Sequence, residues 1–152
     1  MKWLKLIRIH HYIKNVLVFF PLFFNGSIFN IQLLITSFMG FLVFGLISSI
    51  VYIINDLHDV DKDKLHPIKS KRPIASGEIN PKQAKFVLLF LLFVVCCIHT
   101  LFFPILASLK WLILYLILNI MYSYGLKNKP IIDIAILVSG FLIRVLYGAD
   151  IT

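Results

Sequence analysis

Long apolar runs separated by short polar interruptions account for almost the whole chain. The runs cover residues 16–29, 33–54, 86–103, 106–124 and 131–147. Most approach the roughly 20 residues a helix needs to cross a bilayer; the first is short and extends back toward Tyr12. Gly26 and Ser27 mark a turn at 25–30, Pro104 parts the third and fourth runs, and Gly125 and Pro130 bracket the last break. The pattern predicts an all-α fold, a polytopic transmembrane helical bundle of about five spans. We expect the second helix to run from about Gln32 to near His66, because Pro67 disfavours helical geometry in the residue before it. Asn80-Pro81 reads as the cap and first turn of the third helix.

Composition agrees with this reading. Sixty per cent of residues are hydrophobic and the mean hydropathy is +0.92, beyond the usual apolar share of a soluble domain. A secretory signal does not fit the first run, which Pro21 and Asn25 interrupt and no small-residue cleavage site follows. Adjacent Cys96 and Cys97 point about 100° apart on a helix, so they read as packing residues rather than as a metal pair or disulfide. No soluble domain or linker is visible, and residues 1–152 form one membrane domain.

A net charge of +8 would suggest nucleic acid in a soluble chain; here its distribution argues for topology instead, and no nucleic-acid partner is expected. With the N-terminus inside, 13 of the 15 basic residues fall on one side, leaving Lys110 outside and Arg144 within a span. That asymmetry predicts a multi-pass protein of the cell (inner) membrane with the 56–82 loop in the cytoplasm.

The loop carries the chemistry. Asp56, Asp59, Asp61 and Asp63 fall within eight positions, where carboxylates repel one another unless a cation intervenes. On a regular helix, with Asp56 at zero, Asp59 falls near −60°, Asp63 near −20° and Asn55 near −100°, whereas Asp61 falls near +140°. Asn55, Asp56, Asp59 and Asp63 can therefore share one metal-diphosphate centre from which Asp61 is excluded. The alternative is a charged helix end that merely stops the span, but Asn55 and Asp56 directly abut the apolar run, where unpaired charge is expensive. Lys69, Lys71 and Arg72 would supply cations for phosphate oxygens. Of the histidines, only His66 stands near this centre.

The motif Asn55-Asp56-x-x-Asp59-x-x-x-Asp63 resembles the first Asp-rich motif of the UbiA-type membrane prenyltransferase superfamily. Its continuation, His66-Pro67-x-Lys69-x-x-Arg72-Pro73-Ile74-Ala75-Ser76-Gly77, is similar to the branch that includes decaprenyl-phosphate phosphoribosyltransferase. Tyr12-Ile13-Lys14-Asn15-Val16, the stretch from Tyr122 through Lys127 to Asp133, and Ser139-Gly140-Phe141-Leu142-x-Arg144 agree with that branch. The resemblance implies a nine-helix bundle in which two Asp-rich motifs hold Mg²⁺ against a diphosphate, here with Asp56, Asp59 and Asp63 as catalytic groups. It assigns substrate contacts to Lys14, Asn55, Lys69, Arg72, Tyr122, Lys127 and Asp133. The implied reaction moves phosphoribosyl from phosphoribosyl pyrophosphate to a polyprenyl phosphate. Two alternatives are alkylation of an aromatic quinone precursor by a polyprenyl diphosphate, and a membrane fragment without activity. Beyond Asp133 the only carboxylate is Asp150, so a second Asp-rich motif is missing. The expectation is that this is the N-terminal part of such an enzyme, with the remaining half as a partner.

Overall fold

A computed structural model describes residues 1–103, 105–125 and 130–152, and those residues form helices and turns with no strand among them. Short α1 (Lys2–Ile7) leads into a 3₁₀ segment, Ile9–Phe19, and then α2 (Phe20–Phe24). The first apolar run is therefore not one regular span. Pro21 stands at the start of α2, where its missing N–H costs nothing and a new helix begins. The turn at 25–30 follows, with Gly26 at φ +69°, a conformation open to glycine at no steric cost.

Helix α3 (Ile31–His58) begins where the Asn30 side chain accepts the Leu33 amide at 3.2 Å. It does not continue unbroken to His66 as the sequence suggested. Asp59 adopts φ −95°, ψ 9°, and a short α4 (Val60–Lys64) takes over. The i→i−4 ladder nonetheless persists across the break, from the Asp59 amide to Asn55 O at 3.0 Å and from the Asp63 amide to Asp59 O at 2.8 Å. The chain bends but keeps its rotational register. Asn80 and Gln83 form a capping box at the start of α5 (Pro81–Phe102), with Pro81 in its first turn. Helices α6 (Ile105–Tyr124) and α7 (Pro130–Ile151) complete the described bundle. Pro104 and residues 126–129 lie outside the described residues.

Among the described residues, three helices are long and apolar enough to cross a membrane: α3, α5 and residues 131–151 of α7. Residues 9–24 and 108–124 are shorter apolar segments. Burial sets α3 apart, since 61% of its most apolar stretch is covered, against 17% for α5. Helix α3 is thus the hub, packed by α1, the 3₁₀ segment, α5, α6 and α7. Phe86, Leu89, Phe90 and Phe93 share one outward face of α5 and are all more than half exposed, as a lipid-facing stripe would be.

Two glycines set the position of the N-terminal segment. At Gly45 a Cβ would collide with the Tyr12 ring, and at Gly148 it would collide with the Val18 carbonyl oxygen. Each lets the segment press directly onto a helix backbone. The Tyr12 hydroxyl then meets Ser49 Oγ at 3.0 Å, and Ser49 Oγ donates to Ile7 O at 2.6 Å. Arg8, Lys14 and Asn15 are thereby held against the bundle. At the other end, Asp150 accepts from Trp111 Nε1 at 2.7 Å and pairs with Lys110 at 2.8 Å, tying α7 to α6.

Candidate functional site

Asp56, Asp59 and Asp63 are buried, each less than a tenth exposed, whereas the Asp61 side chain is 98% exposed and, among the described residues, pairs with Lys64 alone. The division matches the face expected from helical spacing, because the bend at Asp59 preserves the i→i−4 register. Arg72 sits between two of the carboxylates. Its Nη1 carries two hydrogens and donates to Asp56 Oδ1 at 3.1 Å and to Asp63 Oδ2 at 2.7 Å. Arg8 Nη2 donates to the same Asp56 oxygen at 2.6 Å. Asp59 Oδ1 lies 3.0 Å from His58 Nδ1. Two guanidiniums thus offset the repulsion that clustered, desolvated carboxylates would otherwise suffer.

Local folding explains why the arginines reach the cluster. Arg8 has φ 50°, ψ 50°, a left-handed conformation that costs a side-chain-bearing residue about 1–2 kcal/mol. That turn between α1 and the 3₁₀ segment aims its guanidinium at Asp56 and over the Tyr52 ring, 4.6 Å from the centroid. The loop after α4 is held by buried Ile74 and Ile79 and by the Ile79 amide donating to Pro73 O at 2.9 Å. His66 serves the loop backbone: its Nδ1 accepts the Ile68 and Lys69 amides at 3.1 and 3.2 Å. Lys69 and Lys71 then flank Arg72 in a short 3₁₀ turn.

Above Asp56 opens a pocket of about 300 Å³ whose wall includes Lys5, Arg8, Lys69, Lys71 and Arg72. Five cations around one buried carboxylate make a bowl suited to a polyanion. Among the described residues, no three His, Cys, Asp or Glu side chains converge closely enough to hold one metal ion in this arrangement. The donor set is nevertheless of the hard, oxygen type that Mg²⁺ takes, with water and substrate oxygens completing its shell. Asp56 Oδ2 is also buried with no hydrogen-bond partner, which leaves one carboxylate oxygen available to a cation. On those two observations Asp56 fits the ion as one ligand, with water and substrate oxygens as the others.

The remaining candidates separate from this cluster. Half-buried Asn55 stays beside it through its carbonyl bond to the Asp59 amide. Lys14, Tyr122 and Asp133 instead line a second cavity of about 170 Å³, together with Tyr52, Tyr115 and Arg144. There Tyr122 and Asp133 stand beside one another. Lys127 lies outside the described residues. Sequence reasoning counted Arg8 only toward topology and took Arg144 only as a charge within a span that agrees with the family branch. A signal for both was present. Only three of the fifteen basic residues are arginine, and all three are turned inward, whereas every described lysine is exposed.

Comparison with known proteins agrees with this geometry. Residues 16–151 match the family described as the UbiA prenyltransferase family. An uncharacterized protein, y4nM, from Sinorhizobium fredii is 36% identical over 96% of this chain and 28% of its own length. Decaprenyl-phosphate phosphoribosyltransferase from Corynebacterium glutamicum is 33% identical over 95% of this chain and 44% of its own length. The protein of that name from Mycobacterium tuberculosis is 34% identical over 97% of this chain and 50% of its own. The chain thus spans half or less of the length of these relatives.

Proposed function

The chain belongs to the UbiA prenyltransferase family, and on that footing we propose that it contributes the donor-diphosphate part of a membrane-embedded transferase site. The donor in this reading is phosphoribosyl pyrophosphate, the acceptor a polyprenyl phosphate and the resident ion Mg²⁺. The observation that carries it is Asp56 clamped by Arg8 and Arg72 at the floor of a basic pocket. Similarity to the two phosphoribosyltransferases supports the choice of donor.

In such a transfer the bond between the sugar's anomeric carbon and the pyrophosphate oxygen breaks, and an acceptor phosphate oxygen forms the new bond. Negative charge grows on the departing pyrophosphate while the sugar carbon becomes cation-like. Arg8, Lys69, Lys71 and Arg72 offer fixed positive charge where that negative charge develops, the effect that commonly dominates such catalysis. Asp56, through its unpartnered Oδ2, would hold Mg²⁺ together with water and pyrophosphate oxygens, with Asn55, Asp59 and Asp63 around it, and the ion would supply further charge neutralisation to the leaving group. Buried Ile74 and Ile79 keep the cation-bearing loop closed over the cluster. A soluble donor of this kind requires the basic pocket to face the cytoplasm, consistent with the excess of basic residues in the same loops. The inner membrane is the location this reading assigns.

The test is a chimera in which this chain replaces the matched 147-residue stretch of the Corynebacterium relative. In nanodiscs it should move radiolabel from phosphoribosyl pyrophosphate into a polyprenyl phosphate in a Mg²⁺-dependent way. Arg72→Ala should lower the rate about 10²- to 10³-fold, the range for losing one preorganised charge-stabilising group. A folded, inserted chimera that transfers nothing would overturn the proposal. Transfer from an allylic diphosphate to an aromatic acceptor would replace it with the prenylation chemistry.

A further inference from the structure

The basic pocket above Asp56 takes in two side chains that the arginine clamp does not use. His10 and His11 line it beside Arg8, Lys69, Lys71 and Arg72. The left-handed turn that aims Arg8 at Asp56 also brings these two residues to the pocket, and the His11 amide closes it by donating to Arg8 O at 2.9 Å. The two imidazole rings lie 4.3 Å apart between centroids, and the His11 ring stands 5.3 Å from Tyr52 of α3. His10 is exposed and His11 half-buried. The imidazole hydrogen bonds among the described residues belong instead to His58, His66 and His99. His10 and His11 therefore keep their ring nitrogens for solvent or a ligand.

The charge balance of the pocket gives these rings a role. Two of its five cations are already matched, Arg8 by Asp56 and Arg72 by Asp56 and Asp63. Lys5 from α1 and Lys69 and Lys71 from the loop remain to meet a ligand's charge, and all three are exposed, where salt screens them. Imidazoles add positive charge only when protonated. Burial, then the positive charges of His10, Lys14 and Arg8, disfavour the protonated form of His11. From α3, Tyr52 presents a neutral ring, while Asp56 is committed to its two guanidiniums. A polyanion seated among these groups reverses the balance, because its charge favours both protonated rings. Proton and polyanion then reinforce one another's binding, and such coupling is reciprocal.

We propose that His10 and His11 are proton-dependent ligands of the polyanion that occupies this pocket. Each ring takes a proton from solvent onto its free nitrogen as the anion binds and donates the resulting N–H to an anion oxygen. Affinity for a polyanion therefore rises as the pH falls through the imidazole range and is lost as the pH rises out of it. The gain grows with the ligand's charge, so a polyanion receives it and a monoanion receives little. His66 does not share the role, because its Nδ1 is occupied by the Ile68 and Lys69 amides. The inference rests on the reading of this pocket as a polyanion site and not on the identity of the donor.

The experiment titrates the purified chain in phosphatidylcholine nanodiscs with trimetaphosphate, a cyclic trianion that has no proton of its own to exchange near neutral pH. Calorimetry between about pH 8 and about pH 6 brackets the imidazole range, and two buffers of different ionisation heat report the protons taken up. Binding should tighten at least about tenfold over that interval, the equivalent of one unit of pKa, with net proton uptake. His10→Gln combined with His11→Gln should remove both the tightening and the uptake. His10 is exposed, so His10→Lys tests the site without threatening the fold. Its fixed charge should strengthen binding at the alkaline end and flatten the pH profile. Affinity independent of pH, no binding at the acid end, or an unchanged profile in His10→Lys and the folded double variant would overturn the proposal. Phosphoribosyl pyrophosphate with Mg²⁺ is titrated in parallel. If it fails to bind while trimetaphosphate keeps its histidine-dependent uptake, the donor reading falls and this inference stands. If it binds with a pH profile that both substitutions leave intact, this inference falls and the donor reading stands.

Discussion

Replacing Arg72 with alanine removes the one side chain that bridges two segments of the Asp-rich stretch. Its guanidinium joins Asp56 at the end of α3 to Asp63 in α4, across the bend at Asp59. Both carboxylates are 2% exposed. Asp56 would keep Arg8, but Asp63 Oδ2 would lose its 2.7 Å partner without gaining free access to water. A hydrogen bond to a charged group contributes about 1.5–3 kcal/mol. Because the Arg72 side chain is 23% exposed, the lower figure suits each of its two bonds, giving about 3 kcal/mol in all. For a chain of this length that corresponds to a fall of about 6–12 °C in the midpoint of thermal unfolding. The assay is intrinsic tryptophan fluorescence of the chain in nanodiscs, reported by Trp3 and Trp111. Asp61→Ala is the control and should leave the midpoint unchanged, since that carboxylate stands in solvent. A double-mutant cycle of Arg72→Gln with Asp63→Asn should show coupling between the two sites, as contacting residues do. If Arg72→Ala melts with Asp61→Ala, or the cycle shows no coupling, the guanidinium is not held between the carboxylates and the reasoning fails.

Asp56→Ala, Asp59→Ala and Asp63→Ala should each abolish Mg²⁺-dependent binding of phosphoribosyl pyrophosphate, while Asp61→Ala leaves it nearly intact; equal losses at all four would rule out a shared inner face. Ser70→Cys, in a background with Cys96 and Cys97 replaced by serine, should be blocked in intact cells only by membrane-permeant thiol reagents. Labelling from outside by an impermeant reagent would reverse the proposed orientation. Gly148→Ala should destabilise the chain by about 1–3 kcal/mol, the usual cost of overpacking, because the new methyl would collide with the Val18 backbone; an unchanged melting midpoint would show that the N-terminal segment does not rest on α7.

The sequence by itself determined the helices and the chemistry of the loop. Apolar length specifies where a chain can cross a bilayer, so the runs later seen as α3, α5, α6 and α7 were legible with ends displaced by only a few residues. The capping of α5 was legible too, because the Asn80–Gln83 box is a purely local arrangement. Helical spacing placed Asp56, Asp59 and Asp63 together and Asp61 apart, a division that survived the bend because bending at Asp59 costs no rotational register. What the sequence could not determine were contacts between distant segments. Arg8 is 48 residues from Asp56, and Arg144 is 129 residues from Asn15. No periodicity links such pairs; they exist only because Gly45 and Gly148 let the N-terminal segment lie directly against α3 and α7. The same packing split the candidate residues between two cavities, with Lys14, Tyr122 and Asp133 away from the carboxylates they had been grouped with. Only the tertiary structure decided which positive charges serve topology and which serve a site. The physical reason is burial: a cation removed from water needs partners from the fold, which are carboxylates for Arg8 and Arg72 and neutral oxygens and ring faces for Arg144.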